Sequence, residues 1–200
     1  MKDEVEKMAL IGCDNFHFAV MTTEETKTAP ATYDDTSGMT PIPGLIKISI
    51  NPQTNSNTLY ADNGPALVAT SLGEVDVSIN VADLTPDVLA KLLGHTYDEN
   101  KKTVVFNAND VAPYVAIGFC AQMNGGDKTR FVKLYKGKFT EPADEPQTKG
   151  ASVEFQTPTI TGKFVKLTNS GVWKKTQDAD TAEVSTVAGT FFKTVLDAAG

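Results

Sequence analysis

The segment spanning residues 72–82 constrains the fold more than any other feature of the chain. From Glu74 to Val81 its side chains alternate without exception between polar and apolar. Successive side chains of a β-strand point to opposite faces, so this pattern predicts a strand with one buried face and one polar face. The apolar set is Val75, Val77, Ile79 and Val81, and the polar set is Glu74, Asp76, Ser78 and Asn80.

Further segments have the composition or alternation of strands, so the protein is expected to be mainly β. They are residues 15–21, 46–50, 103–106, 114–123, 129–139 and 151–167. Pro158 interrupts the last segment, which predicts an edge strand, a bulge or a break there. Val153 and Phe155 hold the apolar phase before the proline, whereas Ile160 and Phe164 hold the opposite phase after it. A bulge near the proline would let both halves face one core.

One helix is well specified near the middle of the chain, at about residues 85–93. Thr85 can act as its N-cap, Pro86 suits its first turn and Gly94 suits its C-terminal cap. A second, C-terminal helix is a candidate over residues 181–196, although Gly189 lowers its helix propensity. We therefore predict a mainly β fold, an antiparallel β-sandwich or partial barrel with one packed α-helix and the candidate C-terminal helix.

Two hundred residues fit a single domain, so we predict one domain over residues 1–200. Residues 22–40 are rich in Thr, Glu and Asp without an apolar period, which predicts a long exposed loop. Residues 51–64 form a polar run too long for a hairpin turn, and we predict an extended, mobile arm that docks on another subunit. The candidate contact residues of this predicted arm are Asn55, Asn57, Leu59, Tyr60 and Asp62.

The residues that usually carry catalysis are few and scattered. Cys13 and Cys120 match no metal-ligand spacing and are expected to be reduced core residues. Neither His17 nor His95 has a second ligand at metal-binding spacing. His95 follows the predicted helix, where a histidine can favour the negative end of the helix dipole. We therefore predict a protein that is not an enzyme and needs no cofactor or metal.

Charge and hydropathy limit the partners and the compartment. The net charge is −7, which argues against a grip on phosphate backbones but suits a surface that nucleic acid passes without sticking. No basic-then-apolar segment opens the chain, and no apolar run approaches the roughly 18 residues of a membrane span. We expect no membrane insertion, and first folding in a reducing cytoplasm.

Several short motifs occur in a characteristic order from about residue 12 to residue 175. They are Ile42-Pro43-Gly44 before an alternating strand, Tyr60-Ala61-Asp62-Asn63-Gly64, Glu74-Val75-Asp76-Val77, Leu93-Gly94, Ala116-Ile117-Gly118-Phe119, Gly125-Gly126 and Phe131-Val132-Lys133-Leu134-Tyr135. This succession resembles the major tail proteins, or tail tube proteins, of long-tailed phages and prophages with non-contractile tails. Residues 22–40 look like an insertion relative to that family, and their role is open.

The resemblance implies a structural virion protein that forms hexameric rings stacked into a hollow tail tube. DNA would pass through the tube without specific binding, and Glu74, Asp76, Ser78 and Asn80 are candidates to line its lumen. The implied partners are further copies of the chain and the tail-tip or initiator, tape-measure and tail-terminator proteins. The implied location is the virion tail, after assembly in the host bacterial cytoplasm.

Two other classes fit an acidic, mainly β chain without a catalytic constellation. One is an immunoglobulin-like binding or adhesion module. The other is the tube protein of a related secretion or contractile injection machine, which shares the ring-forming principle. Rings or tubes in micrographs of the purified protein would favour a tube protein, whereas isolated globules would favour the binding module.

Overall fold

A computed structural model describes residues 9–124, 128–148 and 155–196. Most of these residues lie in antiparallel β-strands, which confirms the predicted fold class. The elements in chain order are β1 (Leu10–Thr23), β2 (Thr32–Tyr33), β3 (Thr40–Ile42), β4 (Leu45–Ala61), β5 (Gly64–Val81), α1 (Pro86–Leu93), β6 (Thr96–Asp98), β7 (Thr103–Val105), β8 (Val115–Met123), β9 (Lys128–Phe139), β10 (Thr159–Val165), β11 (Lys174–Asp180) and α2 (Val184–Phe191).

One nine-stranded sheet carries the fold. Seven of its strands run in the order β2-β1-β8-β9-β10-β5-β4, and β3 and β11 pair with β1 and β9 respectively. Strands β6 and β7 form a separate hairpin. The large sheet curls until β4 approaches β1, where the Cys13 Sγ lies 3.7 Å from the carbonyl oxygen of Ile46, but it does not close into a barrel.

The inner face of the curled sheet encloses the main core. Val75, Val77, Ile79 and Val81 of β5 are each at most 2% exposed, so the alternation identified the buried face correctly. Helix α1 covers one end of this core with Val88, Leu92 and Leu93. The predicted helix ends are confirmed, since Pro86 begins the helix directly after Thr85 and Gly94 ends it with a left-handed φ of 78°. Thr85 occupies the N-cap position, but its side chain makes no capping hydrogen bond.

A second core lies on the outer face of β1, β8, β9 and β11. There Phe131 and Tyr135 of β9 pack beneath α2 and the segment that follows it, which contributes Phe192 and Val195. Residues 22–40 complete the cover, because Ala31, Tyr33 and Met39 are buried in the same cluster. The prediction that residues 22–40 are an exposed loop is therefore wrong at these positions.

The structure corrects two further expectations near the C-terminus. Phe155 is 92% exposed and β10 begins only at Thr159, so Phe155 does not face the core that Ile160 and Phe164 reach. Val153, the other residue predicted before the proline, lies outside the described residues. Helix α2 is shorter than the predicted helix over residues 181–196, and β11 was not predicted.

The predicted arm is not a loop but part of a β-hairpin. Strands β4 and β5 stay paired as far as Ala61 and Gly64, and Asp62 and Asn63 close the turn with φ values of 50° and 62°. Two central residues with positive φ are typical of the type I′ turn, whose twist matches the flanking strands. Strand β10 meets β5 only from Val75 onward, and Val75 pairs with Pro52 of β4, so residues 53–73 extend beyond the sheet as a two-stranded ribbon. We call this ribbon the hairpin arm.

Candidate assembly surfaces

The hairpin arm exposes nearly all its side chains and carries a single charged residue, Asp62. Its strand register places Asn55, Asn57 and Leu59 on one face, opposite Ser71, Ala69 and Leu67. A β-bulge follows Leu59, and Tyr60 then pairs with Pro65 beside the turn that contains Asp62. The structure therefore brings the five predicted arm residues onto one face and the tip of a single ribbon.

Apolar side chains are concentrated at the distal end of the hairpin arm. Leu59, Tyr60, Leu67 and Val68 are between 59% and 71% exposed. Leu59 pairs with Leu67, while Val68 pairs with Thr58 and points to the opposite face. An isolated two-stranded hairpin is only marginally stable in water. Two apolar faces at its tip are therefore a surface that gains stability when a partner covers it.

Strand β4 also leaves a long edge of the sheet open. Within the described residues its backbone ladder is formed with β5 alone, and the strand runs for 17 residues. Between this edge and β1 lies an apolar groove of about 460 Å³ whose lining includes Leu10, Ile46 and Ile48. Unpaired backbone groups along an edge strand can template pairing with another chain, and β4 offers them between its register shifts near Leu45, Pro52 and Leu59. The β4 edge is therefore a second candidate assembly surface.

The four predicted lumen residues lie together on the outer face of β5. This part of the sheet, formed by β4, β5 and β10, is not covered by the second core and is polar. We call it the bare face. Its cross-strand rows are Lys163–Asp76–Asn51, Thr161–Ser78–Ser49 and Thr159–Asn80–Lys47, with Glu74 beyond the first row.

Glu74 and Asp76, the two acidic residues of the bare face, both have partners within the sheet. Glu74 forms an ion pair with Lys163 of β10, and its carboxylate raises the pKa of that lysine. Gln53 donates a hydrogen bond of 2.9 Å to the Asp76 Oδ2. Because Lys47 and Lys163 balance Glu74 and Asp76, the face is close to neutral. The sequence of β5 alone suggested an acidic surface and missed the lysines that neighbouring strands supply.

A buried ion pair attaches residues 22–40 to the sheet, and the hydrophobic pattern did not predict it. The Lys136 Nζ lies 3.0 Å from the Glu25 Oε1, and these side chains are 8% and 0% exposed. The backbone N–H of Thr168 donates a second hydrogen bond of 3.0 Å to the same oxygen. Burial would raise the pKa of Glu25, but the hydrogen bonds from Thr168 and Lys136 outweigh it and lower that pKa.

The remaining titratable groups within the described residues do not form a catalytic constellation. The Cys120 thiol is buried, which raises its pKa to about 12, and both cysteines are free. His17 stacks on Phe192, while His95 contacts Asp110 and Glu141. Across residues 9–124, 128–148 and 155–196, no group of three or more His, Cys, Asp or Glu could hold a metal ion. The same ranges contain no helix long and apolar enough to cross a membrane.

Comparison with known proteins identifies the family of the chain. No curated protein matches the chain. A family model described as phage tail tube protein matches residues 8–183, which is most of the chain. That family is structural and non-enzymatic, which confirms the prediction that the protein is not an enzyme. The chain therefore belongs to the phage tail tube protein family, whose members assemble into the tube of the virion tail.

Proposed function

We propose that this tail tube protein forms hexameric rings, and that stacked rings build the tail of a long-tailed phage or prophage with a non-contractile tail. The observation that carries the proposal is the β4–β5 hairpin. It has an open edge 17 residues long and an apolar tip with no core of its own. Within the described part of one subunit, no strand pairs with the edge and no side chains cover the tip. Neighbouring copies of the subunit around a ring could supply both contacts.

The open edge of β4 is the proposed contact within a ring. A strand of the neighbouring subunit would pair with it, and the apolar groove beside Ile46 and Leu10 would be buried at the same time. Main-chain hydrogen bonds supply affinity in this mode, and the groove supplies specificity. Ring closure then removes the edge that otherwise makes the subunit prone to irregular aggregation.

The tip of the hairpin arm is the proposed contact with a neighbouring subunit or the next ring. Leu59 and Tyr60 would enter a pocket of the partner, since large exposed apolar side chains gain most from complete desolvation. Asn55 and Asn57 share the face of Leu59 and would provide amide hydrogen bonds at the rim. Asp62, the only charge of the arm, would fix its orientation through a polar contact.

The bare face is the proposed wall of the lumen through which DNA passes. A wall with unpaired lysines would bind DNA by releasing its counterions. Here the ion pair with Glu74 occupies Lys163, two acidic residues offset the charges of Lys163 and Lys47, and Ser78 and Asn80 offer neutral polar surface. Such a wall solvates DNA without holding it.

The proposed partners are further copies of the chain together with tail-tip or initiator, tape-measure and tail-terminator proteins. Assembly would take place in the host bacterial cytoplasm, with residues 1–200 acting as one domain. A binding or adhesion module is disfavoured, because the family match covers residues 8–183.

Electron microscopy of the purified full chain, alone and with tail-tip proteins, tests the proposal. Tyr60→Ala should leave the subunit folded, because Tyr60 is 71% exposed, but should shorten or abolish tubes. Phe155→Ala is the matched control, since it removes an aromatic ring that is 92% exposed outside the arm. Averages without six-fold symmetry would refute the hexamer. Tubes of Tyr60→Ala that equal those of Phe155→Ala would refute the role of the arm.

A further inference from the structure

His95 lies where three separate segments of the chain meet. It follows Gly94, the residue that ends α1, and its side chain is 7% exposed. The His95 Nδ1 lies 2.8 Å from the Asp110 Oδ2, on the loop that follows β7. The His95 Nε2 lies 3.2 Å from the Glu141 Oε2, at the start of the connector between β9 and β10. One imidazole therefore bridges carboxylates from two segments that are otherwise distant in the chain.

The geometry sets the charge state of the ring. An ionised carboxylate can accept hydrogen bonds but cannot donate them. An imidazole donates from both nitrogens only when it is protonated. With both carboxylates ionised, the two contacts are both hydrogen bonds only when the ring is in the imidazolium form. The position of His95 just beyond the C-terminus of α1 also favours a positive charge. In agreement, the hydrogen bond to Asp110, followed by that to Glu141, raises the pKa of His95 despite its burial.

Two carboxylates face the ring. Asp110 faces it from the loop and Glu141 faces it from the connector, while the Phe106 ring lies against it at 4.6 Å between centroids. Lys91, the basic residue in the last turn of α1, is exposed. The protonation of His95 is thus coupled mainly to the two carboxylates it bridges.

The two contacts differ in how firmly the carboxylate is held. The Asp110 Oδ2 also accepts a hydrogen bond of 3.1 Å from the backbone N–H of Asn107, and its side chain is 19% exposed. The Glu141 side chain is 54% exposed, and its contact with the ring is longer. A neutral ring can donate from one nitrogen only, so it keeps the preorganised Asp110 and loses Glu141.

We propose that His95, Asp110 and Glu141 form a pH-sensitive clamp. The protonated ring joins the start of the connector to the end of α1, and loss of the proton releases the connector at Glu141. The clamp lies outside the hairpin arm and the bare face, so its behaviour can be tested in the unassembled subunit and does not depend on the hexameric ring.

A titration of the full chain by NMR tests the clamp, because the protein contains only two histidines. His17 is the internal reference, since burial lowers its pKa. We expect His95 to titrate above about 6.5 and His17 below it. The amide signals of Ala143 and Asp144 should change with the midpoint of His95, as the connector is released.

Glu141→Gln is the informative variant, since Glu141 is half-exposed and its loss should not unfold the protein. It should lower the His95 midpoint and remove the response of the connector. Glu145→Gln, which makes the same chemical change in the same connector, should alter neither. A His95 midpoint at or below 6.5, a connector that does not follow it, or equal effects of the two variants would overturn the proposal.

Discussion

Removal of the Glu25 carboxylate should destabilise the subunit strongly. Glu25→Ala leaves the ammonium of Lys136, which is 8% exposed, without its closest carboxylate and leaves the N–H of Thr168 without its acceptor. Breaking a buried ion pair by removing one partner typically costs about 3–5 kcal/mol, because the remaining charge stays desolvated. We therefore expect Glu25→Ala to lower the free energy of unfolding by about that amount.

Glu24→Ala is the matched control. Its carboxylate lies 3.5 Å from the same Lys136 Nζ, but its side chain is 64% exposed. Solvent-exposed pairs contribute about 0–1 kcal/mol, so this variant should be nearly as stable as the parent. The double variant Glu25→Ala, Lys136→Met should recover much of the loss, because it removes the buried ammonium as well as the buried carboxylate.

Urea denaturation of the full chain, followed by fluorescence and circular dichroism, measures these differences as shifts of the midpoint at constant slope. A loss below about 1 kcal/mol for Glu25→Ala, or a double variant no more stable than Glu25→Ala, would refute the reasoning.

The pKa of Glu25 is lowered in the folded protein, so the contribution of its carboxylate to stability is fully present above a pH of about 4.3. That contribution should disappear as the pH falls through the lowered pKa, and Glu25→Ala should show less of this acid dependence.

Three other results are expected. Glu74→Lys with Asp76→Lys should leave tubes intact but impair DNA delivery, because the bare face then presents lysines without carboxylates; normal delivery would contradict the lumen assignment. Gly137→Ala should lower the unfolding free energy by about 1–3 kcal/mol, because its Cβ would overlap the ring of Phe164; an unchanged denaturation midpoint would argue against this close packing. Amide exchange across residues 54–62 should slow when tubes form, and equal rates in subunit and tube would exclude docking of the arm.

The inner core could be predicted because a strand with one buried face leaves a period of two in the sequence. Val75, Val77, Ile79 and Val81 have that period and are all buried. The hairpin arm has no such signal, because both of its faces are exposed and polar residues can occupy either one. Its polar run was therefore interpreted as a loop, although the backbone pairing of β4 and β5 continues to the turn.

The second core and the buried charges were missed for a different reason. Ala31 and Met39 lie in irregular backbone and Tyr33 lies in a strand of only two residues, so their burial has no period that a sequence can reveal. Strand β11 spans Lys174–Asp180 and buries only Ala179, so its sequence has no alternation of apolar and polar residues. Ion pairs between residues far apart, such as Lys136 with Glu25, depend on strand order, which local patterns do not specify.

The two halves of the sheet should respond differently to mechanical load. Strands β1, β8 and β9 have packed side chains on both faces, whereas β4 and β5 are packed on one face only. A layer supported on both sides resists bending because any curvature must compress tightly packed atoms. A filament built from such subunits would be stiff along the doubly packed half and compliant along the singly packed half. Deformation of such a filament under load would therefore be concentrated in β4 and β5, while β1, β8 and β9 keep their shape.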